Sequence, residues 1–309
     1  MGEAFSNNLL SDLAPILTLF GELVTKQFLS LSLGWADNIL IALGPLGIMT
    51  ILVSAIRVSG EKRLKALIGR ARESRATAES ELLSSTSGEV CEMWNGYEIV
   101  RTFGSPKTIQ LVIRRLIHND QLQVHTVFDA YKNQYLVRKP GRKPNYKDPE
   151  NDESALHGAP NLTLNVPGTT LSHRELWAWV FLGAVLQIAA LVSPLIFMYA
   201  NKWPKSPYGY VCYVLGTVSI TVGLSLSSHV IEGCTTELEY IVNPDIQSRE
   251  KPPQIITVQQ KANVGEQLFS SYMSACAKPV LRVSRINNND YRSVNIHIIN
   301  SHAVLHWEY

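Results

Sequence analysis

The amino-acid sequence predicts a mainly α membrane protein: three transmembrane helices, a small mixed α/β cytosolic region and a strand-containing tail. Two observations lead to this fold class. Three uncharged apolar runs interrupt a chain of 309 residues whose mean hydropathy is only +0.02, and each run approaches or exceeds the ~20 residues that a helix needs to cross a bilayer. Elsewhere, stretches of alternating apolar and polar residues are typical of strands.

The first apolar run extends from Asn38 to Ile56 and predicts a transmembrane helix over residues 36–57. Pro45 lies inside this run, flanked by Gly44 and Gly47, and in water these residues would break a helix. In lipid an unpaired backbone is more costly than a kink, so the sequence predicts a kinked span.

The second and third runs predict transmembrane helices over residues 176–200 and 208–231, joined by a short external loop, residues 201–207. Trp177 and Trp179 stand at the start of this pair, where aromatic residues favour the bilayer interface. Small residues recur along one side of the third run and predict a face that packs against another helix. They are Gly216, Ser219, Gly223 and Ser227. The alternative is that glycine and serine are simply common in membrane helices.

Basic residues lie almost entirely on one side of the first predicted span. Lys26 alone precedes it, whereas seven basic residues follow it closely: Arg57, Lys62, Arg63, Lys65, Arg70, Arg72 and Arg75. Because cytosolic loops carry the excess of lysine and arginine, this bias predicts an external N-terminus and cytosolic segments over 58–175 and 232–309. The cluster is also a candidate for binding lipid headgroups, with a solvated helix that only determines topology as the alternative.

Two short motifs bear on this topology. MGEAFS matches the pattern for myristoylation of Gly2, which would favour a cytosolic N-terminus and opposes the distribution of basic residues. Asn161 begins a glycosylation sequon, Asn-Leu-Thr, which the predicted topology leaves unmodified in the cytosol. The state of Asn161 is therefore a sequence-based test of the topology.

The segments outside the predicted spans differ in character. Residues 1–35 predict an amphipathic segment that lies on the membrane surface or packs on a protein partner. Residues 58–137 predict a charged helix over 61–83 and a small mixed unit, in which a strand ends at Gly104 and a helix begins at Pro106. Residues 138–175 predict a linker. The tail, 232–309, contains the strand-like stretches PQIITVQQ and SVNIHIINSHAVLHWEY.

The polar residues predict no metal, cofactor or nucleic-acid site. The four cysteines are far apart and form no C-x-x-C pair, whereas zinc and iron–sulfur sites normally have closely spaced ligands. His297, His302 and His306 are near one another in sequence but do not alone make a ligand set. A net charge of +2 gives no indication of nucleic acid as a partner.

A distinctive block follows the first apolar run, with SAIRV over residues 54–58 and IGRARESRATAESELLSSTSGEVCE over residues 68–92. This block resembles a family of multi-pass membrane proteins from filamentous fungi. The resemblance implies two further spans and a strand-rich tail but no reaction. Some members of that family carry ankyrin-type repeats, whereas this sequence has no recognisable repeat of 33 residues.

These observations favour a membrane-anchored scaffold or signalling protein. The sequence contains no G-x-S-x-G, H-E-x-x-H, Walker or G-x-G-x-x-G motif, so no enzymatic activity is predicted. The alternative is a subunit of an oligomeric channel or transporter, with Gln187, His229 and the break at Gly44–Gly47 as candidate elements. The expected partners are the lipid bilayer, proteins on the cytosolic side and further copies of the chain, in a membrane that the sequence does not specify.

Overall fold

The structure is a computed structural model that describes residues 21–32, 34–44, 47–105, 107–115, 122–139, 155–166, 173–200, 208–244, 253–276 and 279–287. Over these residues it is about 50% helix and 26% strand. The predicted class, a mainly α membrane protein with three transmembrane helices, is therefore wrong. Only two described helices are long and apolar enough to cross a membrane. The predictions for Gly2, the 201–207 loop and the three tail histidines lie outside the described residues.

The described helices follow one another as α1 (residues 21–31), α2 (Trp35–Leu43), α3 (Ile48–Ser59), α4 (Lys62–Leu67), α5 (Arg75–Leu82), α6 (Val127–Lys132), α7 (His173–Ala200) and α8 (Gly209–Glu232), with a 3-10 turn at Thr163–Asn165. The charged segment 61–83, predicted as one helix, is thus two short helices. Ser74 begins the second of them, because its hydroxyl accepts a hydrogen bond from the Thr77 amide at 3.2 Å and satisfies a free backbone donor.

Helices α7 and α8 coincide with the second and third predicted spans and run antiparallel. The start of α7 and the end of α8 both contact α2: a methyl group on Gly183 would lie 3.1 Å from Leu43 Cδ1, and Asn38 binds Ser228. We call this end of the pair, residues 173–180 and 227–232, the foot. Beyond the foot, over residues 181–200 and 209–226, every residue except Leu224 is exposed or half-buried, and we call these residues the bare part of the pair.

Helices α2 and α3 occupy the first predicted span, and the chain reverses direction between them. Helix α2 starts beside the last turns of α8, where Trp35 stacks on His229. Helix α3 ends beside Glu73. Two residues further along the chain, Arg75 donates to the Asn287 carbonyl. The Asn287 amide in turn donates to the carbonyl of Cys234, immediately after α8. Both ends of the α2–α3 pair therefore lie at the foot, and this run does not form a single span.

The turn between α2 and α3 depends on glycine at position 47. Gly47 has φ +73°, a left-handed conformation that other residues adopt at a cost. A Cβ atom there would also clash with Thr25 Oγ1 in α1. The close packing of α1 against this turn leaves no room for a side chain.

Replacing Gly47 with alanine is expected to lower the free energy of unfolding by about 2 kcal/mol, because left-handed strain adds to the displacement of α1. Gly69→Ala is the matched control, since Gly69 has φ +74° but open space around it. Thermal unfolding of the detergent-purified protein measures both variants. Equal shifts in Tm for the two would show that α1 does not pack on the turn.

The strands are β1 (Val90–Trp94), β2 (Ile99–Phe103), β3 (Thr108–Arg115), β4 (Leu122–Thr126), β5 (Leu136–Arg138), β6 (Thr235–Val242), β7 (Gln254–Gln259), β8 (Ala262–Val264), β9 (Gln267–Phe269), β10 (Tyr272–Ala275) and β11 (Val280–Ile286). They form a four-stranded sheet in the order β10-β7-β3-β4, a three-stranded sheet in the order β11-β6-β5, and two ribbons, β1-β2 and β8-β9. Every pairing is antiparallel.

The two larger sheets share a core with α6. Val112 and Ile255 from the four-stranded sheet pack in one cluster with Leu238, Tyr240 and other residues of the three-stranded sheet. Strand β2 ends before Gly104, as predicted, and PQIITVQQ contains β7, also as predicted. The helix predicted to begin at Pro106 is wrong: Thr108–Arg115 is strand β3, which pairs with β7 from the tail.

Candidate functional site

The bare parts of α7 and α8 expose a continuous apolar surface. Their apolar side chains with more than a third of their surface exposed include Phe181, Leu182, Val185, Leu186, Ile188, Val192, Ile196 and Phe197 on α7, and Val211, Leu215, Val218, Ile220, Val222 and Leu226 on α8. A patch of this size on a protein marks contact with lipid or with another protein.

A cluster of polar side chains, which we call the clamp, joins α2 to α8 at the foot. Asn38 is fully buried, donates from Nδ2 to Glu232 Oε2 at 2.7 Å and accepts at Oδ1 from Ser228 Oγ at 2.6 Å. Glu232 also lies 3.3 Å from His229 Nδ1, and the His229 ring stacks on Trp35 with centroids 4.2 Å apart. Asn38 interrupts an apolar run because its amide satisfies these buried partners.

Beside this clamp, α1 and α2 line an open cleft of about 300 Å³. Its lining residues are Val24, Gln27, Phe28, Leu31, Ser32 and Asp37. Ser32 connects the cleft to the clamp, since its hydroxyl lies 3.2 Å from Asn38 Oδ1. Within the described ranges, no three His, Cys, Asp or Glu side chains are grouped to hold a metal ion.

Arg57, at the end of α3, is held in a buried ion-pair network. Its side chain is 2% exposed, and it forms a bidentate contact with Glu73, with Nη2 2.6 Å from Oε1 and Nε 3.1 Å from Oε2. Glu81 lies 2.9 Å from Nη2 and is shared with Lys26 at 3.7 Å. Burial alone would lower the pKa of Arg57, but hydrogen bonds to Glu73 and Glu81 outweigh it and raise the pKa, so the guanidinium stays charged.

The structure divides the seven residues of the predicted basic cluster into two groups. Arg57, Arg70 and Arg75 are engaged within the chain, the second with Glu73 at 3.3 Å and the third with the Asn287 carbonyl at 3.3 Å. Lys62, Arg63 and Arg72 are exposed and Lys65 is half-buried. Two exposed leucines, Leu64 at 47% and Leu67 at 82%, lie among these last four. We call Lys62, Arg63, Leu64, Lys65, Leu67 and Arg72 the basic surface.

The small-residue face predicted on the third span packs against no described helix. Cβ atoms at Gly216 and Gly223 would meet nothing within 4 Å, and Ser219 is exposed. Ser227 binds the Gly223 carbonyl in its own helix at 2.8 Å. The face of α8 that packs within the chain is instead formed by Leu224, Ser228 and Ile231, so packing of the small residues on another helix stays a prediction.

A buried polar junction joins the segment after α5 to strand β11. Asn161 is fully buried; its Nδ2 donates to the Ser84 carbonyl at 2.8 Å, and its Oδ1 accepts from the Ser284 amide and from Arg285 Nη1, both at 3.0 Å. Arg285 also donates to Thr86 Oγ1 at 2.6 Å. The sequon at Asn161 is therefore unsuited to report topology, because a folded chain offers no free amide there.

The SSTSGEVCE block forms the rest of this junction. Glu92 is 1% exposed, accepts from Arg101 Nε at 3.1 Å and also accepts from the Thr163 amide at 2.8 Å. Arg101 in turn donates to the carbonyls of Leu83 and Ser85. Glu92, Arg101 and the carbonyls of Leu83 and Ser85 are thereby paired with one another or with Thr163, which allows most of this polar block to be buried.

A buried carboxyl on β6 makes stability depend on pH. Burial raises the pKa of Glu237 to about 7 from an ordinary value of 4.5, with Arg282 and the Ser84 hydroxyl opposing the effect. The folded chain therefore holds this proton more tightly than the unfolded chain. The resulting stability is complete below pH 4.5 and is lost as the pH rises to about 7.

Glu237→Gln is expected to remove this part of the pH dependence. In wild-type protein, Glu237 should reduce the free energy of unfolding by about 2 kcal/mol between pH 4.5 and pH 7.5. Tm is measured across this range in detergent for wild type, for Glu237→Gln and for Glu98→Gln, a control at an exposed site. An identical slope in Glu237→Gln and wild type would show that Glu237 titrates normally.

The outer face of the four-stranded sheet is a second apolar surface. The strand register places Met273 of β10, Val258 of β7 and Ile109 of β3 side by side. It also places Ile113 of β3 beside Val124 of β4. Leu122, Leu111 and Ile256 extend the same face. Ile109, Leu122, Val124 and Met273 are 46 to 71% exposed. The alternation of side chains in TIQLVI, residues 108–113, indicates strand β3, whereas the sequence analysis predicted a helix there.

Comparisons with family models, with curated proteins and with solved structures find no match to this chain. The resemblance to fungal multi-pass membrane proteins therefore stays a prediction. The function must be argued from the surfaces described above, because a fold alone does not specify one.

Proposed function

We propose that this chain is a membrane-anchored interaction protein. In this proposal α7 and α8 cross a bilayer as a hairpin, and the sheets at the foot present a protein-docking surface. The bare apolar hairpin is the observation that carries the proposal, because in water it would expose more apolar surface than a soluble monomer tolerates.

The length of the bare helices supports a bilayer rather than a protein groove. Residues 181–200 of α7 and 209–226 of α8 are about 30 Å and 27 Å long, close to the thickness of a hydrocarbon core. Trp177 and Trp179 lie just below this zone, and Tyr199 and Tyr208 lie at its far end. Such aromatic residues favour both interfaces of a bilayer.

Membrane retention after an alkaline carbonate wash tests the anchor. The double variant Leu186→Lys, Val218→Lys places charge at mid-hairpin, where each lysine costs about 3 kcal/mol, and is expected to leave the membrane fraction. Tyr97→Lys is the control, since Tyr97 is 91% exposed between β1 and β2, outside both apolar surfaces. Release of wild-type protein, or equal retention of all three, would contradict the anchor.

The docking role rests on the outer face of the four-stranded sheet. This face combines exposed apolar side chains with a position away from the core, as interface centres do. A photo-crosslinking residue at Ile109 or Met273, in native membranes, is expected to capture one defined protein, and Val258→Lys is expected to prevent that capture. Tyr97, 91% exposed outside this face, is the control position. Capture at Tyr97 alone, or insensitivity to Val258→Lys, would contradict the docking role.

The channel or transporter alternative receives less support from the geometry. Of its candidate elements, His229 belongs to the clamp at the foot, and Gly47 forms the turn between α2 and α3. Gln187 remains within the bare part of α7. A pore usually needs polar groups or broken helices at mid-membrane, and two of these three elements lie elsewhere.

A further inference from the structure

The basic surface differs from the rest of the predicted cluster because, within the described residues, its charged groups are not bound by acceptors of the chain. Arg57, Arg70 and Arg75 bind such acceptors. Lys62, Arg63 and Arg72 are exposed to solvent. The distinction is not visible in the sequence, which presents all seven residues as one run.

The basic surface lies at the level of the foot. Helix α4 starts directly after α3, whose last turn is anchored beside Glu73. Burial raises the pKa of the Cys234 thiol, immediately after α8, to about 11, and the charges of Arg75 and Lys65 oppose this rise. The end of α8 is about 9 Å from Leu226, the last of its broadly exposed apolar residues. A lysine side chain can span much of that distance.

Exposed leucines accompany the charges. Leu64 and Leu67 are three residues apart and share one side of α4, and they are 47% and 82% exposed. A helix that exposes apolar and basic side chains together is typical of the interface between lipid headgroups and acyl chains. In a purely solvated helix these leucines would have no partner.

We propose that the basic surface binds an anionic lipid leaflet, with Lys62, Arg63, Lys65 and Arg72 on the headgroups and Leu64 and Leu67 between them. This inference rests on the proposed hairpin anchor, which brings α4 to the bilayer. Charge complementarity and continuity with the apolar hairpin favour lipid over an acidic protein.

Amine acylation of the full chain in nanodiscs tests this contact. Labelling of Lys62 and Lys65, followed by mass spectrometry, is compared between neutral phosphatidylcholine discs and discs that also contain phosphatidylserine. We expect labelling about fivefold slower in anionic discs, the factor for ~1 kcal/mol per cation, and recovery in high salt. Lys132 and Lys261, exposed on the sheet unit, should react equally in both discs.

Variants make the test independent of intrinsic lysine reactivity. Lys62→Glu, Arg63→Glu, Arg72→Glu should abolish the protection of Lys65, whereas Lys107→Glu, Lys132→Glu, Lys261→Glu carries the same charge change and should preserve it. Incorporation into discs without lipid-dependent protection would overturn this inference and leave the anchor standing. Failure to incorporate would overturn both. If an added soluble acidic polymer protected Lys62 and Lys65 in neutral discs as strongly as anionic discs do, the basic surface would be assigned to an acidic macromolecule. That result would overturn the lipid proposal.

Discussion

Glu73→Ala is expected to lower the free energy of unfolding by about 3–5 kcal/mol, the largest effect of any single substitution considered. Glu73 is 5% exposed and makes the bidentate contact to Arg57, which is itself 2% exposed. Its removal leaves a buried guanidinium whose remaining counter-charge among the described residues is the more exposed Glu81. Because Arg57 cannot deprotonate near neutral pH, the cost falls on the packing of α3 against the segment before α5.

Thermal unfolding in detergent at pH 7 measures this effect. Glu61→Ala is the matched control, because Glu61 is exposed beside the same helices, and its Tm should stay near that of wild type. The pair variant Arg57→Met, Glu73→Leu should recover much of the loss, since it removes both charges together. A Glu73→Ala protein as stable as Glu61→Ala would show that the buried pair is not formed.

Asn161→Ala is expected to lower the free energy of unfolding by about 3 kcal/mol. The substitution leaves the Ser84 carbonyl, the Ser284 amide and one Arg285 donor without this partner in a fully buried site. Each unsatisfied buried group costs about 1–3 kcal/mol, and the sum stays near the lower bound because Arg285 Nη1 keeps its hydrogen bond to Thr86 Oγ1.

Chemical unfolding followed by tryptophan fluorescence measures the loss at Asn161. Asn263→Ala is the control, because Asn263 is exposed on β8 and should shift the midpoint little. A midpoint for Asn161→Ala within error of this control would show that Asn161 does not connect the segment after α5 to β11 as described.

The sequence predicted the hairpin well because apolar length is a local property. Helices α7 and α8 are long uninterrupted runs, and their hydropathy suffices to identify them. The run from Asn38 to Ile56 has similar composition but forms two short helices, α2 and α3. This division depends on Gly47 in a left-handed conformation against α1 and on the pairing of Asn38 with the end of α8. Hydropathy contains no information on such tertiary contacts.

The candidate surfaces were only partly predictable for the same reason. The basic cluster is visible in the sequence, but its division depends on Glu73 and Asn287 folding back onto Arg57, Arg70 and Arg75. The apolar sheet face depends on β3 pairing with β7, which lies far along the chain. Long-range pairing of this kind overrides the helix-like start of the segment after Pro106.

In the proposed topology, one hairpin crosses the bilayer and the rest of the described chain lies on the side of its foot. Glycosylation acceptors on an added N-terminal tag, on an added C-terminal tag and on a flexible insert within residues 201–207 test this topology in microsomes. We expect the two tags to share one state and the insert to have the opposite state. Tags in opposite states would restore a third span, and one state at all three positions would show that the hairpin does not cross.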